Sequence, residues 1–129
     1  MERSMVMKEK YVTITGFKHY YGTKPFAIGS VICCRKEPDN AFDSEAIRCS
    51  LPVIGTVGYI ANAPNTVAGG TMSAGRIYDH VKKRFYVRVM FTTFTKIICR
   101  IEFGNPQGYE AEIKARMDGD WNADLWEDD

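Results

Sequence analysis

The segment Arg84–Phe103, RFYVRVMFTTFTKIICRIEF, alternates apolar and polar side chains on both sides of a short threonine-containing turn. Two alternating runs joined by a turn are typical of an antiparallel β-hairpin. The pattern predicts strands over 84–91 and 96–103. The side chains predicted to face inward are Phe85, Val87, Val89, Phe91, Ile97, Cys99, Ile101 and Phe103. With a turn centred near Phe94, Arg88 and Arg100 lie opposite each other on the outer face, where two like charges call for a nearby acid or anion.

Four shorter runs before the hairpin have the composition of strands. They are rich in β-branched and aromatic residues and are bounded by Gly, Pro, Asn and Asp. The predicted strands are residues 11–17, 30–35, 46–51 and 53–60. Three helices are predicted as well: residues 62–70 with Asn62 as the N-cap, residues 73–81 with Ser73 as the N-cap, and residues 105–117.

These elements predict a mainly β fold with minor α content. About six short strands with two or three short helices on one side favour a small β-barrel or β-sandwich. The chain of 129 residues is long enough for one domain with its own core. We divide it into a flexible N-terminal arm (1–10), a barrel domain (11–103) and a C-terminal helix with an acidic tail (104–129).

The charges of the chain are segregated. The formal net charge is +1, but residues 118–129 contain six acids and no base. The first 117 residues therefore carry all 17 bases and ten of the 16 acids, a surplus of seven positive charges. A basic body with an acidic tail indicates an anionic partner for the body, although a merely solvated tail is the simpler explanation.

Cysteine spacing and hydropathy restrict the class of protein. Cys33, Cys34, Cys49 and Cys99 form no C-x-x-C pair, which argues against a zinc site or a thioredoxin-like centre and favours small apolar core residues. No apolar run has the form of a secretory signal or reaches the ~18 residues of a membrane span. We therefore expect a reduced, cytoplasmic protein without membrane contact.

The motifs of common enzymes are weak or missing. The sequence contains no P-loop, and its two histidines, His19 and His80, are not paired with a cysteine by any pattern. The glycine-rich segment 69–76 favours a junction between helices over a phosphate-binding nest. Asp39 and Asp43 lack the third acid of a convincing cation site. We predict no catalytic activity, no cofactor and no metal.

Two loops combine side chains that suit nucleic acid. Residues 18–24, KHYYGTK, are basic and aromatic, and residues 36–47, KEPDNAFDSEAI, place acids beside an aromatic ring. Aromatic rings stack on bases of any sequence, and lysines neutralise phosphates. A carboxylate is repelled along a phosphate backbone, but it suits a strand end, where a free hydroxyl donates a hydrogen bond. We interpret residues 36–47 as a recognition loop, with ordinary turn chemistry as the alternative.

Several of these segments resemble the HIRAN domain. The similar motifs are GFKHY (16–20), EPDNAFD (37–43), EAI (45–47) and VGYI (57–60). The similarity covers roughly residues 11–103, and segment 62–79 is similar to small stand-alone bacterial members. The resemblance implies an OB-like or SH3-like β-barrel with added helices that binds single-stranded DNA, at a free 3′ end in a eukaryotic member. It implies no ATPase, because the motor of larger members has no counterpart here.

The resemblance also implies roles for individual residues. Lys18 matches a basic residue at the DNA, His19 and Phe42 match stacking tyrosines, and Asp43 matches the carboxylate that contacts the terminal 3′-hydroxyl. The complete predicted DNA-binding set is Lys18, His19, Tyr20, Asp39, Asn40, Phe42, Asp43 and Asn62. The predicted secondary basic patch is Lys24, Arg76, Lys82, Lys83 and Arg84.

Three positions depart from that pattern. Asp39 stands where the eukaryotic member has a neutral asparagine, so it adds charge repulsion toward phosphate. Phe42 lacks the tyrosine hydroxyl. Asn62 stands about where a lysine contacts phosphate. Each change weakens the expected 3′-end pocket.

We therefore predict a non-enzymatic module that binds single-stranded DNA or DNA ends, in DNA repair or the processing of stalled forks and damaged DNA. A helicase or nuclease is the candidate protein partner. The alternative is a protein-interaction adaptor whose contact surface is the hairpin edge or the Trp121–Trp126 segment. A further hypothesis is that the acidic tail imitates nucleic acid on the basic body.

Overall fold

The computed structural model describes residues 8–119. Six strands form in this range, which confirms the mainly β fold: β1 (Tyr11–Thr15), β2 (Val31–Lys36), β3 (Ile47–Leu51), β4 (Gly55–Ile60), β5 (Arg84–Thr92) and β6 (Ile97–Glu102). Residues 1–7 of the predicted arm, and residues 120–129 with Trp121 and Trp126, lie outside the described residues.

The strands close into one antiparallel barrel in the order β1-β4-β3-β2-β5-β6. The closure gives each strand of the β5–β6 hairpin a second neighbour, β2 beside β5 and β1 beside β6. The prediction of a free hairpin edge as an adaptor surface is therefore wrong, because both edges are already paired.

The inner faces of the strands fill the barrel with small and branched side chains, among them Val12, Ile14, Ile32, Ile47, Val57 and Val87. Two of the cysteines, Cys34 and Cys49, face each other across β2 and β3 with their sulfur atoms 3.8 Å apart. Both are fully buried, and burial raises the pKa of the Cys34 thiol well above its usual range. These thiols are core side chains, as predicted from their spacing.

The hairpin is present, but its alternation breaks at Met90. Val89 pairs with Cys99, whereas Phe91 pairs with Ile98, so β5 has one extra residue between these pairs. An extra residue of this kind is a β-bulge, and it moves every later side chain of the strand to the other face. Phe91 is consequently 53% exposed, and its predicted inward position is wrong. Phe103 lies just after the end of β6, is 47% exposed and is likewise not inward.

The predicted pairing of Arg88 with Arg100 is confirmed. The acid that this pairing requires is Glu102, which lies 3.4 Å from Arg88 Nε and accepts a 2.8 Å hydrogen bond from Arg100 Nε. Glu112 adds a second carboxylate on Arg88, and Glu9 lies 3.7 Å from Arg100. The like charges are therefore offset by acids of the chain itself.

Two helices accompany the barrel, α1 (Ala74–Ile77) and α2 (Pro106–Met117), and a 3₁₀ turn, Tyr78–His80, extends α1. Ser73 caps α1 by accepting from Arg76 N at 3.2 Å, as predicted. No helix in residues 8–119 is long and apolar enough to cross a membrane.

The predicted helix over 62–70 is wrong, because that segment forms two separate turns, one closed at Ala63 O and one at Ala68 O. Two side chains explain the difference. Asn62 does not cap the segment, since its Oδ1 accepts from Gly75 N at 2.8 Å. Ala68 N then donates to Thr13 Oγ1 of β1 at 3.1 Å, instead of to the backbone carbonyl that a helix would offer.

Candidate functional site

The loop between β2 and β3 is held closed by its own backbone. Glu37 N donates to Ala46 O at 2.8 Å, Asn40 N to Glu37 O at 3.0 Å, and Ala46 N to Asp43 O at 3.0 Å. The side chain of Asn40 adds a second set of bonds, because its Oδ1 accepts from Phe42 N at 2.8 Å and from Asp43 N at 3.0 Å. An asparagine that bonds two following N–H groups fixes a turn, so the backbone at Phe42 and Asp43 is preorganised.

Phe42 is presented to solvent at the tip of this turn. Its exposure of 98% is the largest among the exposed hydrophobic residues that the structure describes. Neither face of the ring is covered by the protein. A ring held in this way is available for stacking on a planar partner such as a nucleobase.

The carboxylate of Asp43 lies beside Phe42 and is oriented from two directions. Its Oδ1 accepts from Glu45 N at 2.9 Å, and its Oδ2 accepts from Asn62 Nδ2 at 2.9 Å. Asn62 is held in turn by Gly75 N. A carboxylate has about four acceptor positions, so Asp43 retains capacity to accept from a further hydroxyl.

Glu37 links the loop to the barrel wall. Its Oε1 accepts from Asn40 Nδ2 at 3.1 Å and from the Tyr59 hydroxyl at 3.0 Å. Its Oε2 lies 3.2 Å from Arg48 Nε, close enough for an ion pair although the N–H is not aligned as a hydrogen bond. Burial and the bond to Glu37 raise the pKa of Tyr59 to about 12, and the nearby Tyr20 adds to the shift.

The loop after β1 carries the other predicted residues. Lys18 and His19 belong to a 3₁₀ turn, Phe17–His19, and both are exposed, as is Tyr20 at 44%. The ammonium group of Lys18 lies 3.9 Å from the centre of the Phe94 ring, in the β5–β6 turn. Lys18 thus faces the β5–β6 turn.

The structure brings part of the predicted site together. Direct hydrogen bonds join Asn40, Phe42, Asp43 and Asn62, and Glu37 connects Asn40 to Tyr59. The predicted secondary basic patch is spread over several elements. Arg76 lines a concavity of about 370 Å³ with Asn62, and Lys83 and Arg84 lie beside β2. Lys24 and Lys82 are exposed.

The sequence profile of the HIRAN domain family matches residues 7–92, two thirds of the chain. The chain belongs to the HIRAN domain family. No curated protein is matched by the chain.

Two solved structures are similar to this HIRAN domain. The crystal structure of the HIRAN domain of human HLTF has a TM-score of 0.51 and 17% identity, over 83% of this chain and 87% of that one. A protein from Lactobacillus plantarum has a TM-score of 0.47 and 18% identity, over 73% of this chain and 93% of that one. At this identity the likeness to the human domain concerns the fold.

Asp39 is exposed in this HIRAN domain and lies in a different place from Asp43. It borders a concavity with Arg35, Lys36 and Lys83. Its negative charge therefore has basic neighbours. No group of three potential metal-binding side chains occurs in the part of the chain that the structure describes.

Sequence reasoning missed four residues near the site. Glu37 and Tyr59 lie in the motifs EPDNAFD and VGYI, so the sequence does contain a signal for them. Phe94 lies at the predicted turn centre, and its 81% exposed ring is apparent only in the structure. Arg48 gave no signal, because only the folded barrel brings it to Glu37.

Proposed function

We propose that this HIRAN domain binds single-stranded DNA at a free 3′ end, without catalysis. HIRAN domains are known for binding DNA 3′ ends. The observation that carries the proposal is the pair formed by Phe42 and Asp43, a fully exposed ring beside an oriented carboxylate with acceptor capacity to spare. The ring stacks on a terminal base, and the carboxylate accepts from the 3′-hydroxyl.

Two of the three departures from the family pattern, Asn62 and Phe42, are consistent with this function. Asn62 replaces an expected phosphate contact, but it holds the carboxylate of Asp43 in place instead. Phe42 needs no hydroxyl to stack. The cellular setting that we propose is the cytoplasm, in repair or processing of damaged DNA, with a helicase or nuclease as the partner protein.

The test is fluorescence anisotropy with matched oligothymidylates that end in a 3′-hydroxyl or a 3′-phosphate. A hydrogen bond to a charged group is worth about 1.5–3 kcal/mol, so the native protein should prefer the hydroxyl end by roughly 10-fold or more. Asp43→Ala should abolish this preference. Phe42→Ala should weaken both ligands together, because stacking contributes about 1–3 kcal/mol per base.

Two control variants make the result specific. Ile28→Ala removes an exposed apolar side chain from another loop, and Asp39→Asn removes a carboxylate from the same loop. Neither should change the preference for a 3′-hydroxyl, and Asp39→Asn should bind somewhat more tightly. Equal affinity of the native protein for the two ends would refute end recognition. Binding that is insensitive to salt would favour an adaptor function instead.

A further inference from the structure

An outward-facing row of three arginines crosses the barrel beside the candidate site. Arg35 of β2 pairs directly with Arg48 of β3 on one side and with Arg84 of β5 on the other. We call Arg48, Arg35 and Arg84 the arginine row. Tyr59 of β4 pairs with Arg48, so the Arg48 end of the row lies beside the tyrosine that donates to Glu37. The arginine side chains point outward, because core residues stand next to them in the strands: Cys34 beside Arg35, Ile47 and Cys49 beside Arg48, and Phe85 beside Arg84.

Like charges that lie directly opposite each other destabilise a sheet. At Arg88 and Arg100 the repulsion is offset by Glu102, which pairs with both arginines. In the arginine row only the two end charges are offset by acids: Glu37 lies 3.2 Å from Arg48, and Glu110 lies 3.8 Å from Arg84. Arg35, in the middle, forms no ion pair with any residue in 8–119. The centre of the row therefore has no ion-pair partner in these residues and is open to a further anion.

The surface around the row has room for such an anion. A concavity of about 350 Å³ lies on one side, where three bases, Arg35, Lys36 and Lys83, outnumber two acids, Glu37 and Asp39. Pro38 and Asn40 complete its lining. A second, of about 270 Å³, lies between the row and α2 and includes Arg48, Arg84 and Glu110. The first concavity contains residues of the recognition loop, so the row adjoins the proposed strand-end site.

We propose that the arginine row, with Lys36 and Lys83, binds the backbone phosphates of the DNA strand on the 5′ side of its bound 3′ end. This inference rests on the proposed function and extends it from the terminal nucleotide to the strand behind it. Arginine is suited to the role, because its planar fork binds phosphate oxygens in pairs and remains charged.

The dimensions agree with a short run of nucleotides. From Tyr59 to Arg84 the row crosses three strand spacings of about 4.8 Å, or roughly 14 Å. At ~3.4 Å per residue, the rise along one strand of a duplex, that length accommodates at most about four phosphates. A dinucleotide anchored at Asp43 has a single internucleotide phosphate and should therefore end before Arg35, whereas a strand of twelve should cover the row.

The experiment measures affinity for a twelve-nucleotide oligothymidylate with a 3′-hydroxyl, over about 50 to about 200 mM salt. Each phosphate contact contributes about 0.7 to the slope of log affinity against log salt for single strands. Arg35→Gln should lower the slope by about that amount and weaken binding several-fold at low salt. Adding Lys83→Gln should lower both further. Arg35→Lys, which keeps the charge, should restore the slope.

Lys10→Gln is the matched control. Lys10 directly precedes β1, which lies three strands away from β2 in either direction around the barrel. This variant should keep the native slope. Two further results are expected for Arg35→Gln: an unchanged affinity for a dinucleotide, and an unchanged preference for a 3′-hydroxyl over a 3′-phosphate.

The possible failures are distinguishable. A native salt slope for Arg35→Gln on the long strand, with end preference intact, overturns the arginine row while the proposed function stands. If the native protein has no preference for a 3′-hydroxyl but its salt slope still depends on Arg35, end recognition is refuted. The row then remains as a general surface for binding a DNA strand. An unfolding midpoint at or above the native value confirms that Arg35→Gln folds, since it relieves repulsion in the row.

Discussion

Asn62 connects its own segment to the β2–β3 loop and to α1, around the carboxylate of Asp43. Its Nδ2 donates to Asp43 in the β2–β3 loop, and its Oδ1 accepts from Gly75 in α1. A Cβ at Gly75 would lie 2.6 Å from Oε1 of the exposed Glu45 and 3.3 Å from Asn62 Oδ1, so a larger residue there would displace the Glu45 side chain and crowd Asn62. The residue that lacks the positive charge of its family counterpart therefore has a positioning role here.

We predict that Asn62→Asp destabilises the fold by roughly 1–2 kcal/mol at pH 7, because it puts a second carboxylate within hydrogen-bond distance of Asp43. The repulsion raises the apparent pKa of the pair in the folded state above its unfolded value. The unfolded chain then loses its protons first, so the stability of the variant falls as pH rises above about 4. Urea unfolding from acid to neutral pH measures this.

The neighbouring Asn65→Asp provides the comparison, since Asn65 is exposed and sits in the same segment. It should show little change at any pH. A variant Asn62→Asp with native stability at pH 7 would mean that the bond to Asp43 is not maintained in solution.

Val53 has the one non-glycine backbone with positive φ in residues 8–119, at 75°. Ile54 N donates to Pro52 O at 2.8 Å across it, which defines a tight γ-turn of the rare, strained form. Positive φ costs a residue with a Cβ about 1–2 kcal/mol, and asparagine tolerates it better than valine. Because Val53 is 83% exposed, little burial is lost on replacement.

We therefore expect Val53→Asn to stabilise the protein by about 0.5–1 kcal/mol. Chemical denaturation at neutral pH is the measurement. Ile28→Asn, at a similarly exposed aliphatic residue in another loop, should be neutral within about 0.5 kcal/mol. Destabilisation by Val53→Asn would show that the valine side chain makes contacts that outweigh the strain.

Among the secondary-structure elements, the β5–β6 hairpin shows which features can be predicted from the sequence and which cannot. Alternation located both strands and the opposition of Arg88 and Arg100, because a period of two is a local property. It failed at Phe91, since nothing in the local pattern marks the extra residue at Met90. The bulge depends on how β5 meets β6 around the closed barrel, which is a property of the pairing.

The site divides in the same way. The sequence motifs located Asn40, Phe42 and Asp43, whose bonds to one another are local. The partners of Glu37 are Tyr59 and Arg48, which approach it only when β3 and β4 are in register. Likewise the arginine row exists only across three strands, so no window of sequence contains it.

Helix α2 is attached to the barrel by both apolar and charged contacts. Ile113 and Met117 are buried, and Glu112 accepts two hydrogen bonds from Arg88, at 2.9 and 3.0 Å. The bond to Arg88 lowers the pKa of Glu112. A carboxyl whose pKa is depressed on folding stabilises the protein above its unfolded pKa, and this contribution is lost as pH falls through the folded pKa.

We predict that Glu112→Gln costs less than about 1 kcal/mol at pH 7, because the side chain is half exposed and the ion pair is screened. The difference between native and variant should vanish in acid, where the native carboxyl is protonated as well. Unfolding curves at neutral and acidic pH measure it. Asp79→Asn, at an exposed carboxyl outside the ion pairs found in residues 8–119, should show no such trend. A constant penalty down to acid pH would contradict the assignment to the ion pair.

At the scale of the whole molecule, the distribution of charge matters more than the total. A net charge of +1 hides a surplus of seven positive charges in the first 117 residues. Several of the bases are neutralised within the barrel, as Arg88 and Arg100 are, whereas Arg35 is not. Long-range attraction of a nucleic acid strand therefore depends on how far the six C-terminal acids offset the remaining bases.

We predict that deleting residues 120–129 tightens DNA binding at low salt. The deletion removes five acids and no base. It keeps Asp118, which pairs with Lys114 at 3.1 Å near the end of α2. A charge effect of this kind should shrink as salt is raised, because the Debye length falls to about 8 Å at physiological ionic strength. Anisotropy titrations of both proteins at low and high salt measure it.

A second pair of variants separates charge from the aromatic residues of that segment. Replacing the five acids with Asn and Gln should reproduce the effect of the deletion. Replacing Trp121 and Trp126 with Ala should leave DNA affinity unchanged, because the hypothesis attributes the competition with DNA to the acidic charges and not to the aromatic rings. If the tryptophan variant tightens binding and the neutralised one does not, the segment acts through apolar contact, and the protein-interaction function gains support over charge mimicry.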